Sequence, residues 1–381
     1  MFYMINTDCK TLDYFQELLA EPQNSLLEQA VDEGHIPIGY TCSYVPVPLL
    51  SVDRLVPVRV RAPGVAGTEI ADNYLSSVIC SYTRSLLEFA IDDRYDLLRG
   101  WVFVASCDHL RRLWDNLGYL KKPLFNHMLD MPHKTGEAGE EWYVDEVRSL
   151  AVNLSEHFGV DTGAAMIEKA VTEHNVVLAL LRSIGELRKK DRPPLSGFDF
   201  HRIVMAAQVS PVRMIEPHVR TLLDEIAGAD GGNEPRARLM VAGGELDDPE
   251  YIRAIESQGG IVVADRFCTG SIPGLEPVTL SGDPLADMAR HVFRKTMCPR
   301  MMEDFDRRVE KIIETVKEYR VDGVIIQIVK FCDIWGVESG PLVSALRDAG
   351  IPVLKLEREY RLSGEGQLRT RVQAFLESMG R

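Results

Sequence analysis

Short apolar runs alternate with amphipathic stretches toward both ends of this chain. Four of the runs have the length and β-branched content of buried strands: IPIGYTC (36–42), WVFVASC (101–107), GIVVADRFC (260–268) and VIIQIVKFC (324–332). Stretches with a helical period lie between and after them, for example at 73–93 and 366–379. Strands and helices in alternation predict parallel sheets. We therefore expect an α/β fold with two doubly wound, mainly parallel-sheet domains.

The middle of the chain has a long helical pattern instead. Charged residues are interleaved with leucine, valine and alanine from Glu140 to about Asp191, and a second helical stretch covers 198–228. The segment AGADGGNEP (227–235) has the composition of a linker. We predict an N-terminal α/β domain at 1–139, a helical connecting region at 140–235 and a C-terminal α/β domain at 236–381. The first 35 residues are predicted to be helical.

Six of the seven cysteines close or closely follow an apolar run, where a buried strand would end. They form two groups, with Cys42, Cys80 and Cys107 in the first third and Cys268, Cys298 and Cys332 in the last. In open α/β sheets the carboxyl ends of the strands border the ligand crevice, so these sulfurs are expected to meet there. Converging thiolates suggest zinc or an iron–sulfur cluster. Any one of these cysteines alone is better explained as a buried reduced thiol.

Motif spacing narrows the chemistry. The chain has no C-x₂-C pair, which argues against zinc fingers and ribbons, and it lacks the ferredoxin cysteine runs. It also lacks a P-loop motif for ATP. Gly243 and Gly244 follow a predicted strand and would let the backbone approach a phosphate or another strand, although a plain tight turn is the simpler interpretation. Asp108 is predicted to cap the helix after Cys107, and an acid–base pair of Asp108 with His109 is the alternative.

Composition excludes some classes of function. The formal charge is −14, from 57 acidic and 43 basic residues, and this opposes non-specific binding to nucleic acid. The opening MFYMINTDCK does not resemble a secretory signal, and no uncharged apolar run approaches the length of a membrane span. We expect a cytoplasmic protein with reduced thiols, without a membrane or nucleic-acid partner.

The combined motifs resemble the benzoyl-CoA reductase and 2-hydroxyacyl-CoA dehydratase family. The matching segments, in the family's order, are GYTCSYVPVPLL (39–50), ICSYTRSLLE (79–88), ASCDHLRRLWD (105–115), DRFCTGS (265–271), MCP (297–299), VDGVIIQIVKFCD (321–333) and GIPVLKLEREYRLSGEGQLRTRVQAF (350–375). Each motif is weak alone, but the ordered set is specific. The LEREY and GQLRTRVQAF endings favour the benzoyl-CoA reductase branch.

This resemblance implies an enzyme: an iron–sulfur subunit of an ATP-dependent reductase that delivers single electrons to an acyl-CoA thioester. The implied cofactor is a [4Fe-4S] cluster in the cleft between the domains. By motif, Cys80, Cys107 and Cys332 match the positions most associated with cluster ligation. Cys42, Cys268 and Cys298 also match family cysteines, and one of them is a candidate fourth ligand. The implied partners are a homologous second subunit, an iron–sulfur ATPase activator that binds the ATP, and a ferredoxin-type electron donor upstream.

Departures from the family pattern leave alternatives open. Val47, Pro48, Leu49 and Leu50 replace a segment that usually includes an acidic residue, and Ile272 and Pro273 stand where an arginine is common. The cluster is therefore either catalytic or a relay to a partner. Within the family the alternatives are a 2-hydroxyacyl-CoA dehydratase subunit, which is a lyase, and a double-cubane cluster protein that uses six cysteines. A non-catalytic scaffold subunit is the alternative from another class.

Overall fold

The structure, a computed structural model, describes residues 10–229, 231, 232, 234–272 and 274–381. The strands are β1 Ile36–Tyr40, β2 Leu55–Arg59, β3 Gly100–Val104, β4 Asn126–Leu129, β5 Ala237–Gly243, β6 Gly260–Arg266, β7 Gly323–Val329 and β8 Val353–Arg358. The helices are α1 Lys10–Glu17, α2 Ser25–Asp32, α3 Ser81–Ile91, α4 Asp108–Leu120, α5 Glu137–Phe158, α6 Ala164–Leu187, α7 Gly197–Val209, α8 Val212–Ile226, α9 Pro249–Glu256, α10 Pro284–Thr296, α11 Phe305–Glu318, α12 Asp333–Asp348 and α13 Glu365–Ser378.

These strands form two four-stranded parallel sheets with the same topology. Their orders are β2-β1-β3-β4 and β6-β5-β7-β8. In each sheet the first strand in sequence lies between the second and the third. The second strand is therefore added on one side of the first, and the third and fourth are added on the other side. Such a reversal opens a crevice at the carboxyl ends of the two central strands. The predicted fold class, two doubly wound parallel sheets, is confirmed.

Alternating side chains place helices on both faces of the first sheet. Trp101 and Phe103 of β3 belong to a core formed with α3 and α4, whereas Val102 and Val104 belong to a core formed with α5, α6 and α10. This alternation follows from the two-residue period of a strand. Because α10 comes after the second sheet has begun, its packing on α5 ties the two halves of the chain together.

The second sheet is covered in the same way. Leu239 and Val241 of β5 pack with α9 and α13, and Met240 and Ala242 pack with α11 and α12. A separate core joins α1, α6, α7 and α8. Among the described residues no helix is both long enough and apolar enough to cross a membrane.

Two local predictions are wrong, and one strand was not predicted. The N-terminal region contains two helices, because a break at 18–24 separates them and the Asn24 side chain caps α2 by accepting the Leu27 N–H. The pattern from Glu140 onward is likewise two helices, since Gly159 ends α5 with a φ of 63°. The short, half-polar strand β4 has no counterpart in the sequence prediction. Residues 1–9, with Cys9, and also Asp230, Asn233 and Pro273, lie outside the described residues.

Candidate functional site

The carboxyl ends of the strands carry four of the six cysteines. Cys42 follows β1, Cys107 follows β3, Cys268 follows β6 and Cys332 follows β7. The expectation of a strand end is wrong for Cys298, which follows α10. Cys80 directly precedes α3, which begins at Ser81 within the stretch 73–93 that was predicted to be helical. All six are free thiols on buried or half-buried residues.

Cys80, Cys107 and Cys332, here called the capping triad, occupy the N-cap positions of α3, α4 and α12. The Cys107 sulfur accepts the Leu110 N–H at 3.5 Å. It thereby takes the capping role predicted for Asp108, which is the first residue inside α4. The N–H groups at each helix start and the helix dipole stabilise negative charge at this position and so lower the pKa of these thiols, although burial has the larger, opposite effect.

Cys42, Cys268 and Cys298, here called the loop triad, lie in turns that are tied together across the two halves of the chain. The Ser43 hydroxyl donates to the Cys268 carbonyl at 2.9 Å. The Cys298 N–H donates to the Tyr44 hydroxyl at 3.4 Å. The two residues after Cys42 therefore hold the backbone of both other members.

The two triads form one electrostatically coupled group. Burial is the main cause of a raised pKa at every one of the six thiols, and it takes the pKa of Cys298 and of Cys332 to about 12. After burial, Cys80 further raises the pKa of Cys107, and Cys42 adds to it from the loop triad. Cys332 in turn adds to the raised pKa of Cys298. The thiols therefore hold their protons at neutral pH unless a bound cation replaces them.

Four buried polar atoms near these cysteines have no hydrogen-bond partner among the described residues: Thr41 Oγ1, Arg59 Nε, Trp335 Nε1 and Glu245 Oε2. Thr41 precedes Cys42, Trp335 lies three residues after Cys332, and Arg59 and Glu245 both shift the pKa of Cys42. The atoms on Thr41, Arg59 and Trp335 can donate, and a buried donor without a partner indicates a missing acceptor, whereas Glu245 Oε2 is itself an acceptor. Free thiols at helix N-termini together with unpaired donors fit an inorganic cluster with sulfide atoms. No group of three His, Cys, Asp or Glu within the described ranges is arranged to hold a single metal ion.

Gly243 and Gly244 allow the end of β5 to lie close to β7 and α12 at the crevice of the second sheet. A Cβ on Gly243, whose φ is 144°, would lie 1.8 Å from the Gln327 carbonyl oxygen of β7. A Cβ on Gly244 would lie 3.1 Å from Trp335 Cδ1. Of the two close-approach interpretations made from the sequence, the approach to another strand is therefore the one that the structure supports.

An apolar cavity of about 140 Å³ borders the loop triad. Cys268 lines it, and its polar lining consists of Tyr40, Ser43, Arg59, His174, Gln208 and His291. The rest of the wall is largely aliphatic, including Val177, Leu181, Val204, Val212, Met288 and Val292. A wall of this kind accepts an apolar group with a polar end, and Cys268 is the cysteine that such a group would meet.

A family model described as 2-hydroxyglutaryl-CoA dehydratase, D-component, matches residues 42–379. The chain belongs to this family. It is 23% identical to the (R)-phenyllactyl-CoA dehydratase beta subunit of Clostridium sporogenes, over 99% of this chain and 100% of the relative. It is 26% identical to the putative dehydratase subunit YjiM of Escherichia coli K12, over 96% and 97%. It is 22% identical to a benzoyl-CoA reductase subunit of Thauera aromatica, over 90% of each chain.

Membership of the D-component family confirms the resemblance derived from the cysteine motifs. It also confirms the prediction of an enzyme, either an oxidoreductase or a lyase. The relatives bear the names of subunits, so they act as parts of larger enzymes.

Sequence reasoning missed two charged residues of the site, Arg59 and Glu245. In the structure Arg59 is the last residue of β2 and Glu245 lies two residues after β5, so both stand at the carboxyl ends of strands, as four of the cysteines do. A search of predicted strand ends for any ionisable residue would have found Glu245. It would have missed Arg59, because the run LVPVRVRA (55–62) predicts a strand that extends beyond it.

Proposed function

We propose that this chain is the cluster-bearing subunit of an ATP-dependent, low-potential reductase that transfers single electrons to an acyl-CoA thioester. The observation that carries the proposal is the gathering of six free thiols from both sheets into one buried, coupled group. The cysteines would hold a [4Fe-4S] cluster, with the capping triad as three ligands and a loop-triad cysteine as the fourth. Such a cluster supplies reversible one-electron chemistry whose potential depends on exposure and on hydrogen bonds to sulfur.

The surrounding residues have two tasks in this proposal. The helix N-termini at the capping triad stabilise thiolate charge and so offset part of the cost of burying it when a cation displaces the protons. The ion pair of Arg59 with Glu245 and the packed loops around it keep water away from the sulfurs, since both side chains are largely buried. ATP enters through a partner, an iron–sulfur ATPase fed by a ferredoxin-type donor, because this chain has no P-loop. A homologous second subunit would complete the core.

The cavity beside Cys268 supports an apolar acyl group as the part of the substrate nearest the cysteines. An engineered protein cavity of about 150 Å³ with an aliphatic and aromatic lining binds benzene. The cavity here is of similar size, about 140 Å³, and most of its wall is apolar, although it also contains polar side chains such as Arg59, His174 and His291. A ring or a short branched chain therefore fits it, with the thioester carbonyl toward the polar side at Ser43 and Arg59.

Two acyl-CoA reactions are consistent with this arrangement. Ring reduction of the benzoyl-CoA type is the one favoured by the LEREY and GQLRTRVQAF segments. Dehydration of a 2-hydroxyacyl-CoA is supported equally by the relatives, several of which are named as dehydratase subunits. Anaerobic assays of the chain, together with its activator and second subunit, on benzoyl-CoA and on phenyllactyl-CoA distinguish them. Turnover of neither thioester by an iron-loaded complex would refute an acyl-CoA substrate.

A double-cubane reductase is the second candidate, favoured by the coupling between the triads. Cys42 of the loop triad raises the pKa of Cys107, and Cys332 of the capping triad raises the pKa of Cys298, so each triad affects the other. Two bridged cubanes need one continuous set of six thiolates, and this network has that form. The measurement is iron and sulfide per chain after anaerobic purification. About four irons favour one cubane, about eight favour the double cluster, and none leaves only the scaffold alternative.

A further inference from the structure

His109 lies at the N-terminus of α4 and contacts the N-termini of α3 and α12, the other two helices that begin at a capping-triad cysteine. It is the second residue of α4, whose N-cap is Cys107, and its side chain is only 8% exposed. The ring extends from α4 toward α3 and α12. On one side the Cys80 N–H donates to His109 Nδ1 at 3.2 Å. On the other side His109 Nε2 lies 3.4 Å from Asp333 Oδ2, the carboxylate that directly follows Cys332.

These contacts fix the tautomer of the ring. A nitrogen that accepts an N–H bond carries no proton, so Nδ1 is bare and the proton of the neutral imidazole is on Nε2, facing Asp333. The Cys80 N–H is one of the N-terminal amides of α3 that the helix leaves without an internal partner. His109 satisfies that amide and thereby holds Cys80 against the start of α4.

We propose that His109 is the positioning residue of the capping triad: one imidazole sets Cys80, Cys107 and Cys332 at the spacing that a cluster requires. This inference rests on the proposed function, since the spacing matters only if the three thiols bind one group. The first and second of these cysteines come from the first sheet's side of the cleft and the third from the second sheet's side. His109 is thus also a bridge between the two halves of the chain at the point where the sulfurs meet.

The test compares full-length variants reconstituted anaerobically with iron and sulfide. His109→Phe keeps a ring but loses both contacts. His109→Asn keeps an acceptor at the position of Nδ1 for the Cys80 N–H, and so serves as the conservative rescue. His127→Phe is the matched control, because His127 is a half-buried histidine on β4 that contacts Asn153 and stacks on Phe125, away from the capping triad. The readouts are iron per chain, the rate of iron loss to a chelator, and the electron paramagnetic resonance spectrum after reduction. Urea unfolding of the iron-free chains is measured alongside.

Removing a residue that orients metal ligands typically lowers metal affinity by about 10–100-fold. We therefore expect His109→Phe to lose iron at least about tenfold faster and to show an altered spectrum, with His109→Asn closer to the wild type and His127→Phe unchanged. A His109→Phe chain with wild-type iron retention and spectrum would overturn the inference, as would equal iron loss in the His127→Phe control. A lower urea midpoint with an unchanged spectrum would mean a purely structural role and also overturn it. An iron-free wild-type chain would instead refute the proposed function itself.

Discussion

Arg59, the last residue of β2, forms an ion pair with Glu245, which follows β5, with Nη2 and Oε1 2.5 Å apart. The pair joins the carboxyl edges of the two sheets and is nearly out of solvent, with side-chain exposures of 3% and 14%. Burial raises the pKa of Glu245 to about 7 against the opposing effect of Arg59. Burying a charge pair costs desolvation energy, so this pair adds little net stability. Its structural effect is to connect the two sheets at the site.

Breaking this pair from one side is expected to be costly. Arg59→Met leaves Glu245 buried without its cation, and such a change typically costs about 3–5 kcal/mol. Arg59→Met with Glu245→Met removes both charges and is expected to recover more than half of that loss. Urea unfolding of the iron-free chains at pH 8 measures both. Arg369→Met is the matched control, because its pair with Glu365 is about half exposed and is worth at most about 0.5 kcal/mol. A double variant no more stable than Arg59→Met would contradict the argument.

Single Cys→Ser changes are expected to separate the two cluster hypotheses. Loss of Cys80, Cys107 or Cys332 removes a helix-capping ligand, so each variant should lose most of its bound iron. With one cubane, at most one of the loop-triad variants loses as much. With a double cluster, all three of them do. Cys9→Ser, outside the described residues, is the control and should keep its iron. The measurement is iron and sulfide per chain, and wild-type iron in all three capping-triad variants would end this assignment.

The fold could be predicted further than the site. A strand of a parallel sheet is covered on both faces, so its sequence is a continuous apolar run such as VIIQIVKFC. All seven residues of β7 are indeed buried. The four residues of β4 carry too little pattern to be distinguished from a loop. The cysteines could be selected from the sequence because there are only seven of them and because the ends of apolar runs can be located. The N-cap geometry of Cys80 and the contacts of His109 depend on where α3, α4 and α12 lie in space, which local patterns do not specify.

Gly243 is expected to tolerate no side chain. A methyl group there would overlap the Gln327 carbonyl, since the two atoms would be 1.8 Å apart, and the φ of 144° is unfavourable for any other residue. We expect Gly243→Ala to lower the free energy of unfolding by more than about 2 kcal/mol. Gly336→Ala is the matched control: it lies inside α12, meets nothing within 4 Å, and should gain about 0.5–1 kcal/mol from the higher helix propensity of alanine. Equal stabilities of the two variants in urea would show that β5 and β7 have more room than the structure gives them.

Acid should destabilise the folded chain through His201. This side chain is 3% exposed, neither ring nitrogen has a side-chain partner, and burial lowers its pKa to about 4. The unfolded chain takes up a proton near the ordinary value of about 6.5, whereas the folded chain does so only near 4. The unfolded state therefore binds more protons in this window, and stability falls as the pH drops through it. At pH 5 the loss from this group is about 2 kcal/mol. His201→Phe, which keeps the edge contact with Phe267, should lose correspondingly less stability than the wild type between pH 7.5 and pH 5. Parallel pH profiles of urea unfolding for the two chains would contradict this assignment.

The cavity beside Cys268 is expected to bind a ring-sized apolar ligand even in the iron-free chain. Ala207 of α7 lines the cavity, so Ala207→Phe should fill much of its 140 Å³. Benzene should raise the melting temperature of the wild-type chain, because a ligand that binds only the folded state stabilises it by mass action. The shift should vanish in Ala207→Phe and persist in Ala179→Phe, which makes the same change on the exposed face of α6. With the iron-loaded complex, Ala207→Phe should raise the KM for an aromatic acyl-CoA while Ala179→Phe leaves it unchanged. Equal benzene shifts in both variants would mean that the ligand binds elsewhere, and the acyl group would then have to be sought outside this cavity.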